Sequence, residues 1–379
     1  MPSNLTIAVV GLGFGRGFVP LYLSHPAVSR VIVVDSNAAL AAEVAAAFGI
    51  APVDCRTDIS QVLDDPSVDA VHILTPVPTH AQLSVRVMEA GKHCACAVPM
   101  ATSLVDLERI LETRRRTGVN YMMMETSVYT REYFELASAY AAGELGTLTL
   151  YRGFHIQNLD GYPQYWQGYP PMHYLTHALS PILELLRTRP VTVSARGAGV
   201  LAEERRTGGF NNPFPCEVGL FTLDGTSTVA DITMAFFQTG RPFLEGFDVY
   251  GDRGGMEWPR DMDGPVTRFA MSGPSGGKRG NTVTTATVEP ADRVDTLTPA
   301  LRPFVRPHSV RLPKMPASVL VESHHGGSHP HLADEFINAI VESREPHVDA
   351  RRAAQWSAAG IVAHKSALQG GVELRIPSF

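Results

Sequence analysis

The sequence predicts an α/β protein in two parts. Residues 1–125 form a doubly wound parallel sheet, and residues 126–379 an α+β domain with a large, mostly antiparallel open sheet. Three observations predict this. An apolar run, Ile7–Val10, stops at a loop with four glycines, Gly11-Leu-Gly13-Phe14-Gly15-Arg16-Gly17, and a helix-compatible stretch, Phe18–Ser24, follows. A second apolar run, Val31–Val34, ends in Asp35, twenty residues after Gly15. Apolar runs and helical stretches then alternate as far as residue 125, after which strand-like segments predominate.

The first two observations carry chemistry. Glycines at the end of a parallel strand let the backbone turn and approach a ligand closely. The helix that follows offers unpaired N–H groups and its positive dipole end to a pyrophosphate. Gly11-x-Gly13-x-x fits the dinucleotide fingerprint, with Arg16 where a third glycine is usual. An acid at Asp35, with Ser36 beside it, hydrogen-bonds the adenosine ribose and repels a 2′-phosphate. NAD is therefore the expected cofactor and NADP the less favoured one.

The rest of the first domain follows the Rossmann alternation. Ala38–Phe48 is a helix closed by Gly49, Asp58–Leu63 a short helix, and Ala70–Leu74 a buried strand ending at Thr75-Pro76. Ala81–Ala90 is a helix closed by Gly91, and His93–Ala97 a strand. Ser103-x-x-Asp106 caps a helix running to about Arg116, and Asn120–Met124 is one more strand. Ligands of such sheets sit at the carboxyl ends of the strands, which selects Gly11–Arg16, Asp35, Thr75-Pro76, Ala97–Met100 and Glu125 as one rim.

Composition restricts the partners. With 379 residues, 44% hydrophobic, 18% charged and a net charge of −6, the chain reads as an ordinary globular protein with room for two cores. It has no basic block suited to nucleic acid and no apolar run of membrane-spanning length. Met1–Thr6 leads straight into a core strand, without room for a signal peptide. Four cysteines suit reduced thiols in the cytoplasm; Cys94-x-Cys96, on a strand, reads as two small buried side chains.

The first domain resembles the glucose-fructose oxidoreductase, inositol dehydrogenase and rhizopine-catabolism (Gfo/Idh/MocA) oxidoreductases. The residues that carry the resemblance are Gly11-Leu-Gly-Phe-Gly, Thr75-Pro76-x-x-x-His80 and Glu89-Ala-Gly-Lys-His-Cys-Ala-Cys-Ala-Val-Pro-Met100. It implies that His80, Ala97 and Val98 belong to the cofactor region. Family members usually read Glu-Lys-Pro where this chain has Ala97-Val98-Pro99, and the lysine assists proton transfer; Val98 neither donates, accepts nor titrates. A branch that includes NAD-dependent α-N-acetylgalactosaminidase-type glycosidases carries Glu-Val-Pro there. The chain is similar to that branch at Met122-Met-Met-Glu125 followed by Tyr129, at Tyr174-Leu-Thr-His177-Ala-Leu-Ser-Pro181, and at His325-Gly-Gly327. This likeness places Tyr129 and His325 near the substrate. Ala97 in place of the glutamate departs from the branch.

In the second domain Thr130–Ala142 is an expected helix. Thr147–Gln157, Val191–Arg196, Val218–Leu223, Thr228–Phe237, Phe247–Tyr250 and Thr282–Val288 are expected strands, with Leu332–Ser343 and Ala350–Leu368 as closing helices. Asp263–Pro316, rich in proline, glycine and threonine, reads as a long excursion without assigned structure. The resemblance implies that the open sheet face packs against another subunit as a homodimer or homotetramer.

The chemically dense stretch is Gly161–His177. Tyr162, Tyr165, Trp166 and Tyr169 suit either a sugar ring or packing on the core. On a helix, His177 shares a face with His173 and Tyr174, and the three beside an aromatic loop point to His177 as base with Tyr174 polarising the same oxygen. No metal site is expected, since Tyr174 stands where a zincin has glutamate and no third ligand is evident. His324–His331 reads as a tight turn before a helix capped by Ser328 or a neighbour. His155 reads as structural or rim-lining, and Glu125 as a hydroxyl-binding group or an arginine partner.

The expected function is hydride transfer to NAD from a secondary alcohol carbon of a sugar, glycoside or cyclitol. It ends either in net oxidation or, as the glycosidase-like branch implies, in elimination, water addition and re-reduction. A third possibility is a retired NAD-binding regulatory protein, since the fold includes a galactose-regulon repressor.

Overall fold

The computed structural model describes residues 4–261, 264–273, 280–323 and 325–379. The chain divides into two compact units, Met1–Tyr129 with Arg293–Ala354, and Thr130–Asp292 with Gln355–Phe379. Arg293–Ala354, expected within the second domain, therefore packs with the first.

The first unit is built on six parallel strands: β1 (Leu5–Val10), β2 (Val28–Val34), β3 (Cys55–Arg56), β4 (Ala70–Ile73), β5 (His93–Cys96) and β6 (Tyr121–Met123), in the order β3-β2-β1-β4-β5-β6. Order reverses beside β1, so β1 and β4 open the crevice in which such sheets bind ligands. Helices α1 (Leu12–Gly15), α2 (Val19–Ser24), α3 (Ala38–Phe48), α4 (Ser60–Leu63), α5 (His80–Glu89) and α6 (Leu104–Thr117) connect them. The terminators act as expected. Gly49 closes α3 in the left-handed conformation, φ 67°, and the Ser103 hydroxyl accepts from the Asp106 N–H at 3.1 Å.

Glycine loop, strand ends and core are tied together by packing. Ile7, Val9, Leu12, Phe18, Val31 and Val33 are buried in one cluster with Leu301, Phe304, Leu332, Phe336 and Ile337 of the late segment. The stretch read as an unstructured excursion instead contributes 3₁₀ turns at Pro299–Val305 to this core.

In the second unit α7 (Arg131–Ala141) precedes β7 (Leu148–Ile156), and α8 (Thr176–Leu185) precedes β8 (Pro190–Ala198), β9 (Cys216–Leu223), β10 (Val229–Ala235), β11 (Leu244–Gly251), β12 (Gly254–Glu257), β13 (Val266–Ser272) and β14 (Thr282–Val288). With the late strand β17 (Leu374–Arg375) they form a nine-stranded sheet, order β14-β13-β12-β11-β7-β10-β9-β8-β17, antiparallel except where β10 runs parallel to β7. The remaining short strands, β15 (His308–Val310) and β16 (Val319–Val321), pair with each other and, like α9 (Ser328–Val341), belong to the first unit; most of α10 (Ala350–Leu368) belongs to the second. One face of the sheet is closed by α8, and along β9 inward and outward residues alternate, leaving Val218 and Leu220 exposed.

Candidate functional site

In the first unit the glycine loop divides its labour. At Gly11, φ 92°, a Cβ would lie 2.6 Å from the Leu74 carbonyl oxygen, so only glycine makes this turn. Gly13 faces open space, with nothing within 4 Å of an added Cβ, which is the surface a ligand's phosphates need. At Gly15 a Cβ would meet the Leu74 side chain at 2.9 Å and Val9 at 3.1 Å. Gly15 thus takes the close-packing role of the third fingerprint glycine. Arg16 is free to be a surface residue and pairs with Glu43 at 3.5 Å. Phe14, at the loop tip, is 48% exposed.

Asp35 follows β2 and is joined to that loop. Its Oδ2 accepts the Leu12 N–H at 2.8 Å and its Oδ1 the Asn37 N–H at 2.8 Å, with Ser36 between. After β4, the Thr75 and Thr79 hydroxyls are 2.6 Å apart and Thr79 donates to the Pro76 carbonyl at 2.7 Å. His80 is buried beneath this turn, with both ring nitrogens against backbone carbonyls. After β5 come Ala97, half-buried, and Val98, buried at 6% exposure.

Other predicted residues also fall in this unit. Glu125 is fully buried, and its Oε1 accepts from both the N–H and the hydroxyl of Ser127, capping the Thr126–Val128 turn. Tyr129 is stacked on His331 at 6.3 Å. His325 opens a Gly-Gly turn with its ring 5.8 Å from His329, which itself stacks on Phe18 at 4.4 Å and meets Phe14 edge-on at 5.5 Å. The histidine turn therefore lies beside the dinucleotide loop. His329 falls within the stretch read from the sequence as a tight turn, where no role was assigned to it. Gly327, the neighbour of Ser328, occupies the cap position of α9. His324 lies outside the described residues.

In the second unit Tyr174 and His177 meet, ring centroids 4.9 Å apart. His155 of β7 stands 5.8 Å from Tyr174 and 5.7 Å from His177, and Trp166 touches Tyr174 edge-on at 5.3 Å. His173 does not join them. A 3₁₀ turn, Pro171–Tyr174, precedes α8, so the helical spacing that would align His173 with His177 does not run through this stretch. His173 instead meets His364 at 5.1 Å, and burial together with that neighbour pushes its pKa down to about 3. Tyr169 is fully buried and packs the core side of the aromatic loop, whereas Tyr162 and Tyr165 are exposed.

The residue that sequence reasoning missed is Glu245. It is buried on β11, with Oε2 3.8 Å from His155 Nδ1 and Oε1 4.0 Å from His177 Nδ1. An acid inside the run Phe243–Val249 was the available signal. The turn is also anchored from behind: Glu217, fully buried, accepts the Met172 N–H at 2.9 Å and pairs with His364 at 2.7 Å. Among the described residues no group of three or more His, Cys, Asp or Glu could hold a metal ion, and no helix is long and apolar enough to cross a membrane.

Residues 5–125 match the model of an oxidoreductase family with an NAD-binding Rossmann fold, Gfo/Idh/MocA. A 4-carboxy-2-hydroxymuconate-6-semialdehyde dehydrogenase from Sphingobium sp. is 29% identical over 181 residues, 46% of this chain and 57% of that protein. A glycosyl hydrolase family 109 protein from Porphyromonas gingivalis is 29% identical over 203 residues, 48% and 43% respectively. The chain thus spans about half the length of these relatives. A levoglucosan dehydrogenase solved with NADH and levoglucosan has the same fold over the full length of both chains, TM-score 0.75 at 17% identity.

Proposed function

We propose, for a chain whose residues 5–125 belong to the Gfo/Idh/MocA oxidoreductases, that it is an NAD-dependent oxidoreductase acting on a secondary alcohol carbon of a sugar, glycoside or cyclitol. The observation that carries the reading is the gathering of His177, Tyr174 and His155 around the buried carboxylate of Glu245. A base, a phenol and a charge that stabilises the protonated base are what removal of a hydroxyl proton requires.

The first unit fits the cofactor. Gly11–Arg16 would cradle the pyrophosphate over the open side of Gly13, and Asp35 with Ser36 would take the ribose. Thr75-Pro76 and Ala97-Val98 would border the nicotinamide. The Asp35 carboxylate disfavours a 2′-phosphate, hence NAD over NADP. When bound, NAD supplies the hydride acceptor and, once reduced, the donor.

His177 Nδ1 faces Glu245, so Nε2 takes the substrate proton, and the carboxylate favours the resulting imidazolium. Tyr174 hydrogen-bonds the same oxygen, and Trp166 offers a flat wall to a ring. Val98 leaves proton transfer to these residues. The absence of a titrating group there favours a redox-neutral turnover, in which His177 holds the proton until the hydride returns. The glycosyl hydrolase relative supports that ending.

The test is to incubate the purified protein with NAD and a panel of glycosides and free sugars, following NADH absorbance and released aglycone together. Aglycone without net NADH is the outcome expected, and accumulating NADH would replace it with net dehydrogenation. NAD binding with neither product would overturn the enzymatic reading in favour of a regulatory one.

A further inference from the structure

We propose that His80 is a positioning residue held as an imidazolium, its two N–H groups donating to the carbonyls of Thr75 and Pro99, so that one buried cation ties together the chain leaving β4 and β5. Nδ1 lies 2.8 Å from the Pro99 oxygen and Nε2 2.8 Å from the Thr75 oxygen. A carbonyl oxygen only accepts. Neutral imidazole has one N–H and one lone pair, so in either tautomer one of these contacts would set lone pair against lone pair at hydrogen-bond distance. Turning the ring over offers C–H groups to both oxygens and solves nothing. Only the doubly protonated ring satisfies both sides.

The residue is 1% exposed, so a charge there needs compensation. Two full carbonyl dipoles point at it. The titratable groups that face it are Cys96, across on β5, and behind that thiol Tyr121 on β6. Burial pulls the pKa of His80 down, but Cys96 and the two carbonyls more than reverse this and hold it up at about 9. The placement matters because Thr75-Pro76 and Ala97-Val98-Pro99 are the two rim segments proposed to border the nicotinamide, and they belong to different strands. The shared cation fixes their spacing.

Neutron diffraction from fully deuterated crystals of the wild-type protein at pD 8 reads the protonation state directly. Deuterium on both Nδ1 and Nε2 of His80 is expected; a bare nitrogen at either position overturns the proposal. A second measurement reads the consequence. His80→Gln, which presents an oxygen to one of the two carbonyls, is expected to weaken NAD binding about tenfold or more by calorimetry, about 1.4 kcal/mol. Unchanged affinity in the folded variant overturns the positioning role. Only this second measurement rests on the dinucleotide-binding reading; the neutron density stands or falls without it.

Discussion

Single side chains test the proposed proton chemistry. His177→Ala is expected to lower turnover about 10²–10⁴-fold, the usual worth of a general base, while leaving NAD affinity unchanged. Steady-state kinetics beside a binding isotherm checks this, and unimpaired turnover would remove His177 from the reaction. Glu245→Gln keeps the shape of the pair but withdraws its charge. It should depress kcat and move the acidic limb of the pH–rate profile to lower pH, since the imidazole then loses the carboxylate that favours its protonated form. Replacing Asp35 by alanine should weaken NAD and narrow the preference over NADP; a preserved preference would refute its role. Histidines also shape stability against pH. Burial holds His72 at about 3, and His173 at about 3 with help from His364, whereas both take up protons near 6.5 when unfolded. The unfolded chain therefore binds more protons below about pH 6.5, and stability falls as pH drops from there towards 3. His80 acts on the other side. With its folded value raised, its contribution is complete below about 6.5 and is lost as pH rises through about 9. Thermal melts across that range should show a decline at both ends, and His80→Gln should flatten the alkaline one.

Secondary-structure elements place those side chains. Helix α8 carries His177 and is seated on β7 through Gly153, where a Cβ would stand 2.0 Å from the Ala178 carbonyl oxygen; the buried Tyr151 hydroxyl donates to that same oxygen at 2.6 Å. Gly153→Ala must push α8 away from the sheet. It should cost at least the ~1–3 kcal/mol of an overpacked core and lower activity beyond what the lost stability explains; a melt and a rate measured on the folded fraction separate the two. Much at this scale was legible beforehand. Leu104–Thr117, Ala38–Phe48 and Ala350–Leu368 announce themselves through caps, alanine content and terminal glycines, and Gly11–Asp35 through the strict order of strand, loop and acid. What escaped lay where meaning depends on partners distant in sequence. Glu245 is an unremarked acid until β11 lies beside β7 and brings it to His155, and the roles of Gly13 and Gly15 separate only once Leu74 is packed against one of them. His173 was misplaced because Pro170-Pro171 starts a 3₁₀ turn, and the i to i+4 spacing assumed a regular helix.

At the scale of the molecule, the exposed sheet face bears Val218, Leu220 and Val229, each 37% exposed or more, with Arg152–Asp231 and Arg260–Asp248 pairs alongside. We propose that this face joins copies of the chain. Leu220→Lys should shift the mass found by light scattering towards the monomer, and an unchanged mass would exclude the face. The division of the chain has a different consequence, one for its synthesis. The unit that carries the glycine loop starts with β1, yet Leu332, Phe336 and Ile337, which close its core, are translated after strands β7–β14. Phe336→Ala should therefore cost about 3–5 kcal/mol and be felt in the first unit, hundreds of residues upstream. A nascent chain carrying every residue of the glycine loop still has an open apolar face, and it must keep that face from other chains until the ribosome has passed residue 337. A unit whose parallel strands are made before β7 thus completes its core only after β14, and chaperone dependence during translation should end late, with the emergence of α9.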